Sequence, residues 1–227
     1  MTDWPGEAVD AAPRERPVAG PIRGHWTLLE PLSGDHAAAL WPQAAAAPES
    51  FTYLPFGPFG SEAAFRGYLR LAAASKEELL WAVRPLLADG QPGPAAGWIG
   101  VLDIRPNHAS AELGNLWFPP GLARTRSATE ACFLLLDLLL GDLRYLRVGW
   151  KCNALHPASG RAAERLGFRH EGRLRAHMIA RGRRRDTDWY GLLAEEWPAR
   201  RAALSAWLDP ANFDEAGQAR QALSRAA

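Results

Sequence analysis

The chain has 227 residues, 48% of them apolar, with 26 basic against 25 acidic side chains, which is enough to bury one substantial core in one domain. That near-neutrality excludes a global field drawing nucleic acid or an acidic membrane surface, so any basic character is local. Two cysteines, Cys132 in an apolar helical run and Cys152 in a strand-like run, exclude a disulfide scaffold and point to reduced, buried thiols in the cytoplasm.

Residues 1–20 mix Pro, Ala and charge without periodicity and read as a flexible segment that carries no signal-peptide pattern. "HWTLLEPL" (25–32) predicts a first strand, and Ser33 or Asp35 an N-cap for the short helix "DHAAALWPQAAAA". "SFTYLPFGPFGS" (50–61) is too rich in Pro and Gly to continue a helix and reads as a loop ending at a second N-cap, Ser61, before "EAAFRGYLRLAAAS". "ELLWAVRPLL" and "AAGWIGVLDIRP" predict neighbouring strands across the turn "ADGQPGP", and "ASAELGNLWF" an antiparallel strand after "RPNH".

The helix "ATEACFLLLDLLLGDL" (128–143) is apolar almost all round, hence central. Its longest apolar run, 131–140, is broken by Asp137 and too short to span a bilayer. "YLRVGWKCNA" predicts a strand, followed by the short helix "HPASGRAAERLGF", on which Ala158, Ala162 and Leu166 share a face and Gly167 supplies the left-handed stop. "RHEGRLRAHMIARGRRRDTDWYGLLAEEW" reads as two strands joined around "RGRRRD", and the tail beyond Trp197 as helical, then polar. The pattern predicts an α/β fold with one mixed, largely antiparallel central sheet flanked by helices.

The order "AELGNLWFPPGLARTRSATEA" then "WKCNALHPASGRAAERLGF" resembles the GNAT acetyltransferase superfamily, in particular the branch of ribosomal-protein-alanine N-acetyltransferases. The resemblance covers roughly residues 22–197 and is strongest over 111–190. It implies domain limits of 1–20, 21–197 and a helical extension 198–227. It also implies acetyl-CoA as co-substrate and an amine as acceptor. In that family a loop of pattern Q/R-x-x-G-x-G/A binds the pyrophosphate of acetyl-CoA. Here Ala123 stands at the first position, Arg126 at the first glycine and Ala128 at the final small residue. Helix N-terminal amides bind anions through the main chain, so a side chain there matters chiefly by obstruction. Arg124 and Arg126 also offer charge-assisted bonds to phosphate. Two readings stand: a modified phosphate loop over Arg124, Thr125, Arg126, Ser127, Ala128 and Thr129, or a basic turn capping an ordinary helix.

By the same resemblance, Ser159 lies near the coenzyme sulfur, where a hydroxyl donates to the leaving thiolate, and Asn153 near the pantetheine arm. Ser159 also reads as a helix-start hydroxyl bonding local backbone. The tyrosine that many members use as acid is replaced by Ala163. Glu112 is the expected base. Strand alternation sets it with Gly114, Leu116 and Phe118, and an apolar face raises a carboxyl pKa, although a structural glutamate paired with an arginine fits the same pattern. Backbone N–H groups over Leu116, Trp117 and Phe118 are expected to polarise the thioester carbonyl.

Tyr53, Phe56 and Phe59 are candidate acceptor walls or core cover. "ARGRRRDTDW" reads as a solvated hairpin rather than a nucleic-acid patch. His108, His170 and His177 show no ligand spacing, so no metal is expected. The expected protein is a cytoplasmic N-acetyltransferase, plausible as a homodimer, acting on a protein N-terminus or a small-molecule amine. A catalytically silent CoA-binding module is the competing reading.

Overall fold

The computed structural model describes residues 5–215 and 217–223; residues 1–4 of the expected lead-in and 216 and 224–227 of the tail lie outside the described residues. One eight-stranded sheet organises them: β1 (Ile22–Arg23), β2 (Thr27–Pro31), β3 (Leu79–Pro85), β4 (Gly97–Arg105), β5 (Ser110–Trp117), β6 (Arg147–Asn153), β7 (Arg169–Ala180) and β8 (Arg183–Leu193). The spatial order is β1-β2-β3-β4-β5-β6-β8-β7. Every neighbouring pair is antiparallel except β5 and β6, which are parallel. The parallel pair needs a crossover, which is the apolar helix α3 (Arg126–Leu136) with its π-helical continuation Asp137–Asp142.

The period of two along the strands divides the sheet's sides. Trp81 and Val83 face a core completed by α3, by α4 (Pro157–Leu166) and by Trp197 and Leu204 of α5 (Trp197–Leu208). Leu80 and Ala82 face the other way, onto α1 (Ala37–Ala46) and α2 (Glu62–Ala73). Ser33 caps a short 3-10 turn ahead of α1, and the Ser61 hydroxyl accepts the Ala64 N–H at the start of α2. Gly167 ends α4 at φ 102°, in the left-handed region.

Three expectations need correction. The first strand is preceded by β1. The central helix opens two residues earlier than its apolar pattern, because Thr125 caps it. The hairpin turn is only Arg181–Gly182, at φ 52° and 70°, with Arg183 to Asp186 already in β8. Two successive positive φ values make the tight turn that matches strand twist, so the basic run lies on a strand rather than in a loop. No described helix is long and apolar enough to cross a membrane.

Candidate active site

The β5–β6 ladder ends at the Glu112–Gly149 pair. Beyond it the strands part. Asn115 is the bulge that assists this: its φ is 51°, and the register against β4 shifts between Gly100–Gly114 and Trp98–Trp117. The bulge interrupts the alternation expected for Glu112, Gly114, Leu116 and Phe118, although all four line the resulting cleft of about 1150 Å³. Past Glu112, the β6-facing edge of β5 therefore has no strand partner.

One end of the cleft reaches the N-terminus of α3. Thr125 Oγ1 accepts the Ala128 N–H at 3.1 Å and donates to Leu122 O at 2.7 Å, while the N–H groups of Arg126 and Ser127 have no intrahelical acceptor by helix geometry. Arg124 adopts φ 69°, a left-handed turn that glycine would take without strain. The Arg126 side chain leaves the loop altogether: its guanidinium lies 3.7 Å from the Trp26 ring centre and 5.2 Å from that of Phe213. Trp26 is itself held by its Nε1 donating to Leu208 O at 2.8 Å.

Beneath this arrangement, the buried Glu130 carboxylate accepts N–H bonds from His25, Trp26 and Thr27 at 2.8, 2.7 and 2.7 Å. A Cβ on Gly24 would sit 2.4 Å from that carboxylate, so the segment needs glycine there. Ser127 is buried and its hydroxyl donates to Trp26 O at 3.1 Å. Of the expected loop, Arg124, Ala128 and Thr129 line the cleft, whereas Thr125, Arg126 and Ser127 point their side chains elsewhere. Arg161 and Arg165 join Arg124 on the lining, and Arg165 Nη1 donates to Thr129 Oγ1 at 3.0 Å. Helix N–H groups beside three arginines give this end of the cleft a positive electrostatic character.

At mid-cleft, Glu112 is nearly buried and its Oε2 lies 2.6 Å from Lys151 Nζ. Burial pushes its pKa up, opposed by the hydrogen bond and charge of Lys151. The expected partner, an arginine, is replaced by a lysine, whose Nζ also sits 4.9 Å from the Trp189 ring centre. Ser159 faces the cleft, and its Oγ accepts the Trp150 Nε1 hydrogen at 3.1 Å, which leaves the hydroxyl proton to be donated elsewhere. Asn153 lines the cleft with its Oδ1 accepting the Leu155 N–H at 2.9 Å. Burial pushes the Cys132 thiol up to about 12 and raises Cys152 as well, so neither is a thiolate nucleophile at neutral pH. Ala163 is fully buried against the core.

Aromatic rings close the other end. Tyr53 stacks on His156 at 4.3 Å and 15°, joining the 50–61 loop to the start of α4; burial, then the nearby Arg161, lowers the His156 pKa. Phe56 and Phe59 turn away from the cleft. They pack on Phe51, Tyr68 and Phe65, apolar anchors for a loop whose backbone hydrogen bonds are confined to the 3-10 turn Pro48–Phe51 and the two turns that follow it. Trp117 also faces that core, stacked on Phe51 at 5.1 Å with its Nε1 donating to Ser50 Oγ. Arg181 at the hairpin tip donates through Nη2 to the carbonyls of Phe51, Leu54, Phe56 and Gly57 at 2.6–3.2 Å. Among the described residues, no group of three His, Cys, Asp or Glu side chains is placed to hold a metal.

A family model for an acetyltransferase (GNAT) domain matches residues 27–169. The chain belongs to the GNAT acetyltransferase family. By family it is an acetyl-CoA-dependent N-acetyltransferase. The solved structure of a GCN5-related N-acetyltransferase from Brucella melitensis is 38% identical, with a TM-score of 0.88 over 93% of this chain and 96% of that one. The Bacillus subtilis (strain 168) protein named "Putative ribosomal N-acetyltransferase YdaF" is 30% identical over 106 residues, 46% of this chain, and the match spans only 57% of that curated relative. Mycobacterium smegmatis RimJ, solved in complex with CoA-disulfide, shares the fold at 21% identity, with a TM-score of 0.64 over 82% of this chain and 93% of its own.

Sequence reasoning missed several lining residues of this GNAT cleft: Lys151, Glu78, Asn115, His156, Arg161 and Arg165. Lys151 was legible in principle, being two residues beyond the pairing partner of Glu112 on the adjacent strand. The bulge at Asn115 had one weak signal, an Asn after Gly in a strand, since Asn tolerates left-handed backbone. The role of Trp26 and Phe213 had none, because they meet only through the fold.

Proposed function

We propose that the protein moves an acetyl group from acetyl-CoA to a primary amine by direct attack, with a protein N-terminal α-amine as the leading acceptor. The observation that carries this is one continuous cleft joining an anion-binding helix start, a buried carboxylate and a polarised serine. The residues fit the donor's chemistry. The α3 amides with Arg124, Arg161 and Arg165 suit a diphosphate, and the unpaired β5 edge suits the amides of a pantetheine arm. In this reading Glu112 takes the amine proton, directly or through water. Backbone N–H groups near Leu116 to Phe118 polarise the carbonyl, and Ser159 donates to the departing thiolate. The high thiol pKa values of Cys132 and Cys152 support attack without an acyl-enzyme.

An α-amine of pKa ~7.8 is roughly one quarter neutral at about pH 7.4, whereas a lysine at ~10.4 is neutral to about one part in a thousand. The difference, about 3.5 kcal/mol, favours an α-amine at a site whose base is already engaged by Lys151. The B. subtilis relative, named as a ribosomal N-acetyltransferase, points the same way. We take 21–197 as the catalytic domain and 198–227 as its C-terminal extension, of which α5 is the helical part. The two free, buried thiols support a cytoplasmic setting, and exposed Leu174 and Ile179 on the edge strand β7 support a homodimer.

The test is calorimetry with CoA, followed by thiol release from acetyl-CoA with N-terminal peptides, lysine side-chain analogues and small amines. Binding followed by α-amine turnover is expected. Binding with no acceptor turned over would establish the silent module instead.

A further inference from the structure

The acceptor end of the cleft contains two enclosed polar atoms of opposite character, and neither has a hydrogen-bond partner among the described residues. One is Arg185 Nε, a donor; the other is Asn115 Oδ1, an acceptor. Both residues line the cleft, Asn115 from β5 and Arg185 from β8 on the far side of the gap. Buried polar atoms are satisfied almost everywhere in proteins, so an orphan on a residue that lines a cavity marks a place where a small side-chain shift lets a ligand complete the bonding.

The surrounding charges sharpen the reading. Several neighbouring cations are engaged: Lys151 with Glu112 at 2.6 Å, Arg173 with Asp188 at 2.6 Å and Arg184 with Asp186 at 2.9 Å. Arg181 is occupied by four loop carbonyls. Of the residues just named with it, Arg185 alone has neither an ion pair nor a side-chain hydrogen bond among the described residues, although its charge is felt at Glu112. On the β5 wall, Asn115 Nδ2 donates to Glu78 Oε2 at 2.6 Å. That bond and the contact with the Tyr68 side chain hold the amide in place, with its enclosed oxygen unpartnered and the Glu78 carboxylate close by, a setting that attracts an amine.

Resting on the acetyl-transfer reading above, we propose that the acceptor is an amine carrying an anionic group, a carboxylate or a phosphate. The anion is received by Arg185 and the amine N–H by Asn115 Oδ1. Arg185 is then a specificity-determining residue: its planar fork suits a two-oxygen anion, and a neutral acceptor of equal size leaves it unpaired.

Matched pairs of amines test this, measured for kcat/KM by thiol release and for Kd by calorimetry on CoA-loaded protein. The pairs are alanyl-aspartyl amide against alanyl-asparaginyl amide, for a carboxylate, and phosphoethanolamine against ethanolamine, for a phosphate. In at least one pair the anionic member is expected to be favoured about tenfold or more. That ratio should fall toward one in Arg185→Gln and be partly kept in Arg185→Lys, which retains charge without the fork. Equal handling of both members by the wild type in both pairs, or an unchanged ratio in Arg185→Gln, overturns the proposal. The calorimetric ratio decides even if turnover is absent, whereas failure to bind CoA or release thiol counts against acetyl transfer itself.

Discussion

The guanidinium of Arg126 lies over the Trp26 ring, 3.7 Å from its centre, and this contact removes the obstacle that the residue would present in a phosphate loop. Family members place glycine at this position to let ligand approach backbone. Here the side chain is drawn onto an aromatic pair instead, and Phe213, from beyond α5, supplies the second ring. Removing the pair should free the guanidinium to enter the loop mouth. Trp26→Ala and Phe213→Ala are therefore expected to weaken CoA binding about three- to tenfold, the scale of a cation–π contact of ~1 kcal/mol. Adding Arg126→Gly to either should restore affinity. Calorimetric Kd values for the single and double variants check this, and failure of the rescue would show that the rings support only the fold.

Glu130 makes the same region depend on one carboxylate. Its three N–H bonds hold residues 25–27, and Gly24 closes on it. Burial raises its pKa, with the three backbone bonds opposing. Glu130→Ala leaves buried donors unpaired, at about 1–3 kcal/mol each, so a total loss near 3 kcal/mol is a conservative expectation. For a chain of this size that is a fall in Tm of roughly 6–12 °C, readable by calorimetric melting.

The strands, the turn residues and the central helix were legible because period-two alternation, Pro and Gly punctuation and an all-round apolar run are local signals. The two N-caps, Ser33 and Ser61, and the Gly167 stop were legible for the same reason. The site was only half legible. Glu112 and Ser159 sit on elements whose order could be read, so both fall in the cleft. Phe56 and Phe59 could not be placed, since an aromatic on a loop reads alike whether it walls a cleft or anchors the loop. Arg126 could not be placed either, because its partners lie 100 residues upstream and 87 downstream in a contact only the folded sheet creates.

Ser159 and Trp150 separate binding from chemistry. The indole N–H at 3.1 Å from Ser159 Oγ polarises the hydroxyl as a donor. Ser159→Ala is expected to lower kcat about 10- to 100-fold while leaving CoA Kd within a few fold. Trp150→Phe keeps the ring's packing but removes the N–H, and should cost a smaller fraction of kcat. Pre-steady-state thiol release compared with equilibrium binding distinguishes the two effects; a loss carried by Kd would assign Ser159 to binding alone.

Arg181 ties the hairpin tip to the 50–61 loop through a single guanidinium nitrogen serving four carbonyls. Arg181→Ala should loosen that loop without touching the donor end. The expected signature is faster amide exchange over 51–57 and a raised acceptor KM, with CoA Kd unchanged.

The Glu112–Lys151 pair gives a pH prediction with a definite sign. Burial holds the Glu112 pKa above the ordinary value of about 4.3, so folding favours its protonated form. The stability it contributes is complete below that unfolded value and is lost as pH rises through the raised one. Glu112→Gln abolishes this titration. The unfolding free energy of wild type relative to the variant should therefore fall as pH climbs from about 4 toward neutrality, measured by denaturant unfolding at several pH values. Catalysis runs the opposite way, since the base works when ionised. Wild-type kcat/KM, expressed per neutral amine so that the acceptor's own titration is removed, should climb over the same window, and Glu112→Gln should lose that climb along with about 100-fold in rate for amines of high pKa. A variant that keeps the wild-type pH profile would leave Glu112 as the structural partner of Lys151 and move the base elsewhere in the cleft.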